Sequence, residues 1–352
     1  ETKTEEKKRE QGHYNENKFR QMYDILATPN MFRTASGAPG PAYYQQKADY
    51  KMTLVLDDAK QRLDGVETIT YNNNSPDPLA YLWLQLDQNI YNLDSDSKII
   101  EVEKMENFKS VSDLRKRDFY YDGGFKIERI TNMSGQPMKY FINKTMMRID
   151  LAKPLLPGQN ISFQIKWWYN INDRMQVGGR SGYEYFETDQ NYLYTIAQFF
   201  PRMCVYNDVT GWQNKQFLGR GEFTLPFGDY EVSITVPADH IVAATGECQN
   251  YASILTAEQR KRYEQAKKSD SPVIIVTQAE AEAAEKNKAQ KTKTWVYKAT
   301  NVRDFAFASS RKFIWDAQKQ TVGNKDILCM SYYPKEGNPL WERYSTKLVA
   351  HT

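Results

Sequence analysis

A strict two-residue alternation of apolar and polar side chains constrains this chain more than any other feature of its sequence. From residue 161 to residue 171 the odd positions are Ile, Phe, Ile, Trp, Tyr and Ile, and the even positions are mainly polar. Residues 230–236 repeat the pattern, with a Tyr, two Val and an Ile at the even positions. Successive side chains of a strand point to opposite faces, so both segments predict strands with one buried face.

Similar alternation near residue 50 predicts a β-meander. Met52, Leu54 and Leu56 begin it, and after a turn at residues 57–60 a second strand is expected from residue 61 to residue 71. A turn rich in Asn and Pro follows, and then a third strand at residues 79–86. Many strands with frequent turns favour a large β-sandwich or a saddle-like curved sheet, so the predicted fold class is mainly β.

One segment, at about residues 256–290, interrupts the strand pattern. Thr256 with Gln259, and Thr277 with Glu280, have the spacing of capping boxes, which predicts two helices. Because these helices carry few large apolar side chains, we expect a small helical insertion exposed at the surface. The alternative is an arm that docks a partner.

A further helix is predicted near residue 340. Asn338 suits the N-cap position and Pro339 the first helical position. Trp341, Tyr344 and Leu348 follow at a spacing that places them on one side, so we expect an apolar stripe.

Composition excludes several classes of protein. The 352 residues are 40% hydrophobic with a net charge of +3, which fits a folded chain and gives no basic footprint for nucleic acid. No apolar run approaches the roughly 20 residues of a membrane-spanning helix. With three cysteines, a Cys204–Cys248 bridge and three separate buried thiols both remain open.

The sequence offers few candidate catalytic or metal-binding residues. The three histidines, His13, His240 and His351, are scattered, and none belongs to an H-E-x-x-H motif. They support neither a metal site nor a Ser–His–Asp triad, and His240 is expected to be structural or solvated. Glu184 and Glu187 are interpreted as solvated charges in a Tyr-rich strand. The Gly-rich residues 178–182 lack the Lys-Ser/Thr ending of a P-loop and are expected to form an ordinary loop.

Several motifs in order carry a resemblance to a known family. They are YLYTIAQFFPRMCVYND at residues 192–208, GW at 211–212, GRGEF at 219–223, DYEVSITVPADHIVAATGE at 229–247 and TWVYKATNVRDFAFASS at 294–310. Together they resemble the amino-terminal half of the M1-family zinc aminopeptidases, particularly the bacterial members. The resemblance implies a saddle-like β domain, followed by a thermolysin-like α+β zinc domain.

On this resemblance the chain divides into three parts. Residues 1–48 are a leader, with a short helix at about 15–26; residues 49–302 are the β domain; and residues 303–352 begin the catalytic domain with its first strands and helix. The zinc motif of the family is absent, so we expect a piece truncated before that motif. The zinc of the intact enzyme would then be held by ligands beyond Thr352, and this segment would have neither metal nor catalytic residues of its own.

One residue here matches a position to which the family assigns a role. In M1 enzymes a Gln or Glu on a strand of the β domain accepts a hydrogen bond from the ammonium of the substrate, and the resemblance places Gln198 there. An amide oxygen can accept from such a donor. Relatives usually have an Arg five residues later, whereas Arg202 is four residues later. A substrate contact and an ordinary strand glutamine therefore both remain open for Gln198.

The resemblance implies a role in removing residues from peptide amino termini, with this segment, inactive alone, as one wall of the cleft. Its partners would be the peptide substrate and the missing catalytic domain of the same protein. Bacterial relatives are often exported, so we expect the periplasm or cell surface, and otherwise the cytoplasm. Two alternatives are a non-catalytic M1-like scaffold and a free-standing β-sandwich module that binds carbohydrate or peptide.

Overall fold

The computed structural model describes residues 29–100, 121–219 and 221–352, and within these ranges the chain is mainly β. Most of the leader, with the helix expected at residues 15–26, lies outside the described residues. The strands are β1 Lys47–Asp57, β2 Arg62–Asn72, β3 Leu79–Gln85, β4 Lys126–Asn132, β5 Lys139–Asn143, β6 Met146–Leu155, β7 Asn160–Asn170, β8 Gly182–Phe186, β9 Asn191–Ile196, β10 Arg202–Met203, β11 Tyr206–Asn207, β12 Gly211–Trp212, β13 Gly228–Pro237, β14 Ile241–Ala244, β15 Glu247–Cys248, β16 Val273–Val276, β17 Thr292–Val302, β18 Phe307–Ser310, β19 Ile314–Val322 and β20 Lys325–Tyr333.

The helices of the described ranges are short. They are α1 Ser97–Ile100, α2 Arg174–Val177, α3 Tyr251–Ile254, α4 Ala257–Ala266, α5 Gln278–Asn287 and α6 Leu340–His351, with 3-10 helices η1 Asp87–Tyr91 and η2 Lys335–Gly337. None of them is long and apolar enough to span a membrane.

A seven-stranded sheet forms the centre of the molecule, in the order β15-β17-β13-β1-β2-β7-β4. β1 runs parallel to β13, and the other neighbouring strands are antiparallel. The alternation seen in the sequence matches burial: Phe163, Ile165, Trp167 and Tyr169 of β7 are all buried, as are the alternate residues of β13. The prediction of one buried face is confirmed for both strands.

The third strand expected from the sequence exists, but it does not continue a meander. β3 leaves the sheet of β1 and β2 and pairs with β6 and β10, in a four-stranded sheet of order β10-β3-β6-β5. The expected meander is therefore wrong at its third strand. Alternation fixes which face of a strand is buried, but it does not specify the partner strand. Buried side chains of both sheets belong to one core cluster.

A third sheet joins distant parts of the chain in the order β14-β18-β9-β8. β18 pairs on one side with β14 and on the other with β9. Residues 307–310 are thus bonded directly to strands from the region expected to form the β domain. The boundary placed at residues 302 and 303 stays a prediction.

The segment at residues 256–290 contains the two predicted helices, and both capping boxes are present. The apolar run between them is strand β16, which pairs with β19 in a sheet of order β16-β19-β20. Ala266, Ile275 and Ala281 are buried. The expectation of an exposed insertion is therefore wrong for the side that faces β19, because β16 bonds the segment to the following hairpin.

Helix α6 begins at Leu340, one residue later than a helix capped by Asn338 would begin. Pro339 occupies the N-cap position, and the Asn338 Oδ1 accepts a hydrogen bond from the Glu342 amide at 3.3 Å. The predicted apolar stripe exists, but its three members, Trp341, Tyr344 and Leu348, are 44%, 54% and 64% exposed. The side of α6 that packs onto the sheet carries the buried Thr346 instead.

The three cysteines are free thiols, so the disulfide alternative for Cys204 and Cys248 is wrong in this structure. Cys204 and Cys329 are buried, and Cys248 is half-buried.

The buried face of β2 contains a carboxylate. Gly65 lies opposite Trp167, whose ring would come within 2.3 Å of a Cβ at this position, so glycine is required there. Two residues later Glu67 is fully buried, and neither of its carboxylate oxygens has a hydrogen-bond partner of ordinary geometry. Burial raises the pKa of Glu67 well above its usual value, and the nearby Trp167 indole opposes the shift only in part.

This burial predicts a pH dependence of stability. Because the folded-state pKa of Glu67 is raised, its protonated form contributes to the free energy of unfolding. This contribution is complete below the pKa of the unfolded chain and is lost as pH rises toward the folded-state pKa. Relative to a Glu67→Gln variant, the free energy of unfolding should fall by about 1.4 kcal/mol per pH unit above a pH of about 4.3. Urea unfolding across this range measures it. Glu187→Gln, which removes an exposed carboxyl, is the control, and parallel curves for the wild type and Glu67→Gln would contradict the prediction.

Candidate functional site

Gln198 lies two residues beyond the end of β9, in the loop that leads to β10, and not within a strand. Its backbone has φ +52°, a left-handed conformation that costs a non-glycine residue about 1–2 kcal/mol. Its carbonyl accepts a hydrogen bond of 3.0 Å from the Gln88 Nε2. Its half-exposed side chain makes no hydrogen bond to any residue of the described ranges. Within those ranges its amide oxygen is therefore available to a donor from outside.

Arg202, which follows Gln198 by four residues, bonds to other side chains of this protein. Its side chain is 6% exposed, and its guanidinium lies 2.8 Å from Asp87 Oδ2 and 2.6 Å from Asp304 Oδ2. Burial raises the pKa of Asp87 in spite of the adjacent guanidinium, and it does the same for Asp304. The three side chains fix the end of the loop and leave Arg202 without a free face for a ligand.

The nearby acidic and glycine-rich residues have no catalytic arrangement. Glu184 is half-buried on β8 and Glu187 is exposed just after it, in agreement with solvated charges. Residues 178–181 form a loop between α2 and β8, as expected from the sequence.

His240 is fully buried and lies between two groups that the sequence did not connect with it. Its Nδ1 is 2.9 Å from the Ser309 Oγ, and its Nε2 is 3.9 Å from Asp58 Oδ2. Burial, together with the nearby Arg311, lowers the pKa of His240 to about 3, so the ring is neutral. The expectation that His240 is structural agrees with this position.

Ser309, His240 and Asp58 have the residue types of a nucleophilic triad, but they cannot act as one. Ser309 and His240 have no exposed surface, so a substrate cannot reach the hydroxyl. Arg311 binds Asp58 at 2.8 Å and Asp239 at 3.1 Å, so both acids already have a cationic partner inside the protein. The group is a buried polar junction between strands. No spacing in the sequence indicated that these residues meet.

A second cluster has the residue types of a metal site. Within the described ranges, Asp189, Glu285 and Glu336 are the one group of three ligand side chains close enough to share an ion. However, the Lys312 ammonium lies among them: it bonds to Asp189, and it is 3.0 Å from Glu285 and 2.9 Å from Glu336. Burial opposes the charge of Lys312, but the three hydrogen bonds outweigh it and raise its pKa. The position of a cation is thus taken by a side chain, and these residues do not fit zinc.

We therefore expect the purified chain to bind no stoichiometric zinc. Its acidic cluster is bonded to the ammonium groups of Lys312 and Lys335, and His240 is buried with its Nδ1 against Ser309. Metal analysis after a chelator wash should find well under one zinc per chain. Stoichiometric zinc would contradict the assignment of the cluster as a structural ion network.

A cavity of about 490 Å³ lies between the β14–β15 turn, the β19–β20 hairpin and the last turn of α6. Its walls are aliphatic and aromatic, with the rings of Tyr251, Tyr297 and Tyr332, and no charged residue of the described ranges lines it. The Tyr297 hydroxyl donates to the Val242 carbonyl at 2.6 Å. Among the described side chains, the cavity therefore presents no carboxylate, ammonium, guanidinium or imidazole group, and its titratable side chains are the three tyrosines and Cys329.

No model of a known protein family matches the sequence. No curated protein matches it significantly. Among solved structures, the M1 zinc metallopeptidase from Deinococcus radiodurans is similar over 87% of this chain and 51% of its own, with 12% identity and a TM-score of 0.45. A mutant of that protein with a bound Tyr-Ser-Ala substrate is similar over 86% of this chain and 52% of its own, with 11% identity and a TM-score of 0.45.

A mutant of a two-domain M1 zinc metallopeptidase with bound L-tryptophan is similar over 89% of this chain and 54% of its own, with 11% identity and a TM-score of 0.46. The chain spans about half the length of these structures. Its mainly β architecture is established by its own strands and sheets, independently of this similarity.

The buried His240 predicts that the fold loses stability in mild acid. Its folded-state pKa lies below the unfolded value, so the unfolded chain takes up a proton that the folded chain cannot. Compared with His240→Gln, the wild type should lose about 2 kcal/mol of unfolding free energy between about pH 7.5 and pH 5, for an unfolded pKa of about 6.5. Urea titrations measure this difference, with His351→Gln at an exposed position as the control. Equal losses in the wild type and His240→Gln would show that the ring is protonated in the folded state.

Proposed function

We propose that this chain is the amino-terminal portion of an M1-type zinc aminopeptidase and forms one wall of its peptide cleft. The proposal combines the ordered motifs of residues 192–310 with one observation about the structure. Gln198, at the position of the family's amine-binding residue, has a strained backbone held by a buried side chain, and its amide has no hydrogen-bond partner among the described residues. Strained backbone of this kind is concentrated at binding and catalytic sites.

In this function Gln198 binds and orients substrate. Its Oε1 accepts a hydrogen bond from the ammonium of the first residue of the peptide, which fixes where the chain begins in the cleft. A peptide with a blocked amino end has no such donor, so Gln198 gives selectivity for free amino termini. The residues described here do not fit zinc, and in our proposal its ligands are encoded after Thr352.

The coding sequence beyond Thr352 separates this function from its alternatives. A G-x-M-E-N segment followed by H-E-x-x-H would support the aminopeptidase. A degenerate motif would favour the non-catalytic scaffold, and a stop codon would favour the free-standing binding module.

In the full-length protein, Gln198→Ala should lower kcat/KM for peptides with a free amino end by roughly one to two decades. A hydrogen bond to a charged group contributes a free energy of about 1.5–3 kcal/mol, which corresponds to this change in rate. Gln198→Glu is the matched control, because a carboxylate keeps the acceptor and should keep the preference for free amino ends. Hydrolysis of paired free and blocked fluorogenic peptides provides the measurement. If Gln198→Ala discriminates between them as the wild type does, Gln198 does not bind the ammonium.

A further inference from the structure

The 3-10 helix η1 is a firm base on which the loop of Gln198 rests. All three side chains that begin η1 are buried, with no more than 3% of each residue exposed: Asp87, Gln88 and Asn89. The Asn89 Nδ2 donates to the Lys144 carbonyl at 2.7 Å, and its Oδ1 accepts from the Phe125 amide at 2.8 Å. Because both ends of the Asn89 amide are bonded to other strands or turns, η1 cannot shift without breaking these bonds.

From this base η1 makes two contacts, one with the loop of residues 197–201 and one with Arg202, where β10 begins. The Gln88 Nε2 donates to the Gln198 carbonyl at 3.0 Å, and Asp87 pairs with Arg202 at 2.8 Å. On the other side of the loop, the Ala197 amide donates to the Ser181 Oγ at 3.0 Å. The chain around Gln198 is thus bonded to its surroundings at Ala197, at Gln198 itself and, through a side chain, at Arg202.

Of these contacts, only the one from Gln88 bonds to Gln198 itself. The left-handed backbone of Gln198 is unfavourable for a residue with a Cβ, and it persists only where the surroundings enforce it. The orientation of the Gln198 side chain follows from that backbone. A donor bonded to the carbonyl of the same residue is well placed to select the conformation.

We propose that Gln88 is a positioning residue, which clamps the backbone of Gln198 and so sets the direction of the amide that would meet the substrate ammonium. The link to catalysis rests on the proposed function, whereas the clamp itself is a property of this chain. Gln88 is buried and does not touch substrate. Its effect on substrate recognition therefore has to pass through Gln198.

The clamp is tested by hydrogen exchange on the 352-residue chain. Gln88→Met keeps the length of the side chain and removes its N–H donor. We expect the peptide covering residues 197–203 to exchange roughly two- to tenfold faster, as for the loss of one hydrogen bond. Gln46→Met is the matched control, because Gln46 is also a buried glutamine but bonds to Asn73 and Asn74. Unchanged exchange of this peptide in Gln88→Met would overturn the clamp.

The consequence for recognition is tested in the full-length protein by a double-mutant cycle. Gln88→Met should reduce the preference for free over blocked amino ends, and Gln88→Met with Gln198→Ala should lose no more than Gln198→Ala alone. A purely structural role would instead lower activity on both substrates equally. If Gln198→Ala reduces the preference for free amino ends and Gln88→Met does not, the positioning role is overturned. If Gln198→Ala itself has no effect, the proposed function fails, and the exchange result alone decides the clamp.

Discussion

The tight turn between β18 and β19 holds two of the buried cations of this chain, and they fix the positions of several distant segments. Arg311 and Lys312 are adjacent and nearly inaccessible to solvent. The first bonds to acids from the β1–β2 turn and the β13–β14 turn, and the second to acids of the β8–β9 turn, α5 and η2. Removing one partner of a buried ion pair typically costs about 3–5 kcal/mol. One turn of the chain thus fixes segments that lie far apart in sequence.

The same concentration of charge explains why two groups with the residue types of active sites are inert. Ser309 and His240 lie within hydrogen-bond distance but are fully buried, and three carboxylates converge in the other cluster but bond to Lys312 and Lys335. Chemistry requires a group that a substrate can reach and that still has bonding capacity. Burial removes the access, and internal ion pairs take up bonding capacity of the acids. Residue types alone therefore do not identify a site in this chain, and exposure decides between the candidates.

The sequence predicted those features that depend on near neighbours. Alternation gave the buried faces of β7 and β13, and the capping boxes gave α4 and α5, because side-chain direction and helix capping are set within a few residues. It missed the partner of β3, the pairing of β16 with β19, and the exposure of Trp341 on α6. Each of these is decided by contacts between segments far apart in the chain, which no local pattern encodes. Glu67 had a visible signal, as the one acid on an alternating apolar face.

In the candidate site too, the sequence indicated one residue, and only the structure showed which other residue contacts it. The resemblance of the sequence to a known family indicated Gln198, but the residue whose side chain bonds to it, Gln88, is 110 positions away and belongs to no recognisable pattern. Had Gln198 been on a strand, its direction would have followed from the pleat; in the loop it depends on side-chain contacts instead. The spacing from Gln198 to Arg202 first put the register of the motif in question. Arg202 bonds to Asp87 and Asp304 and so fixes the end of the loop, and the direction of the Gln198 side chain depends on the geometry of the loop itself.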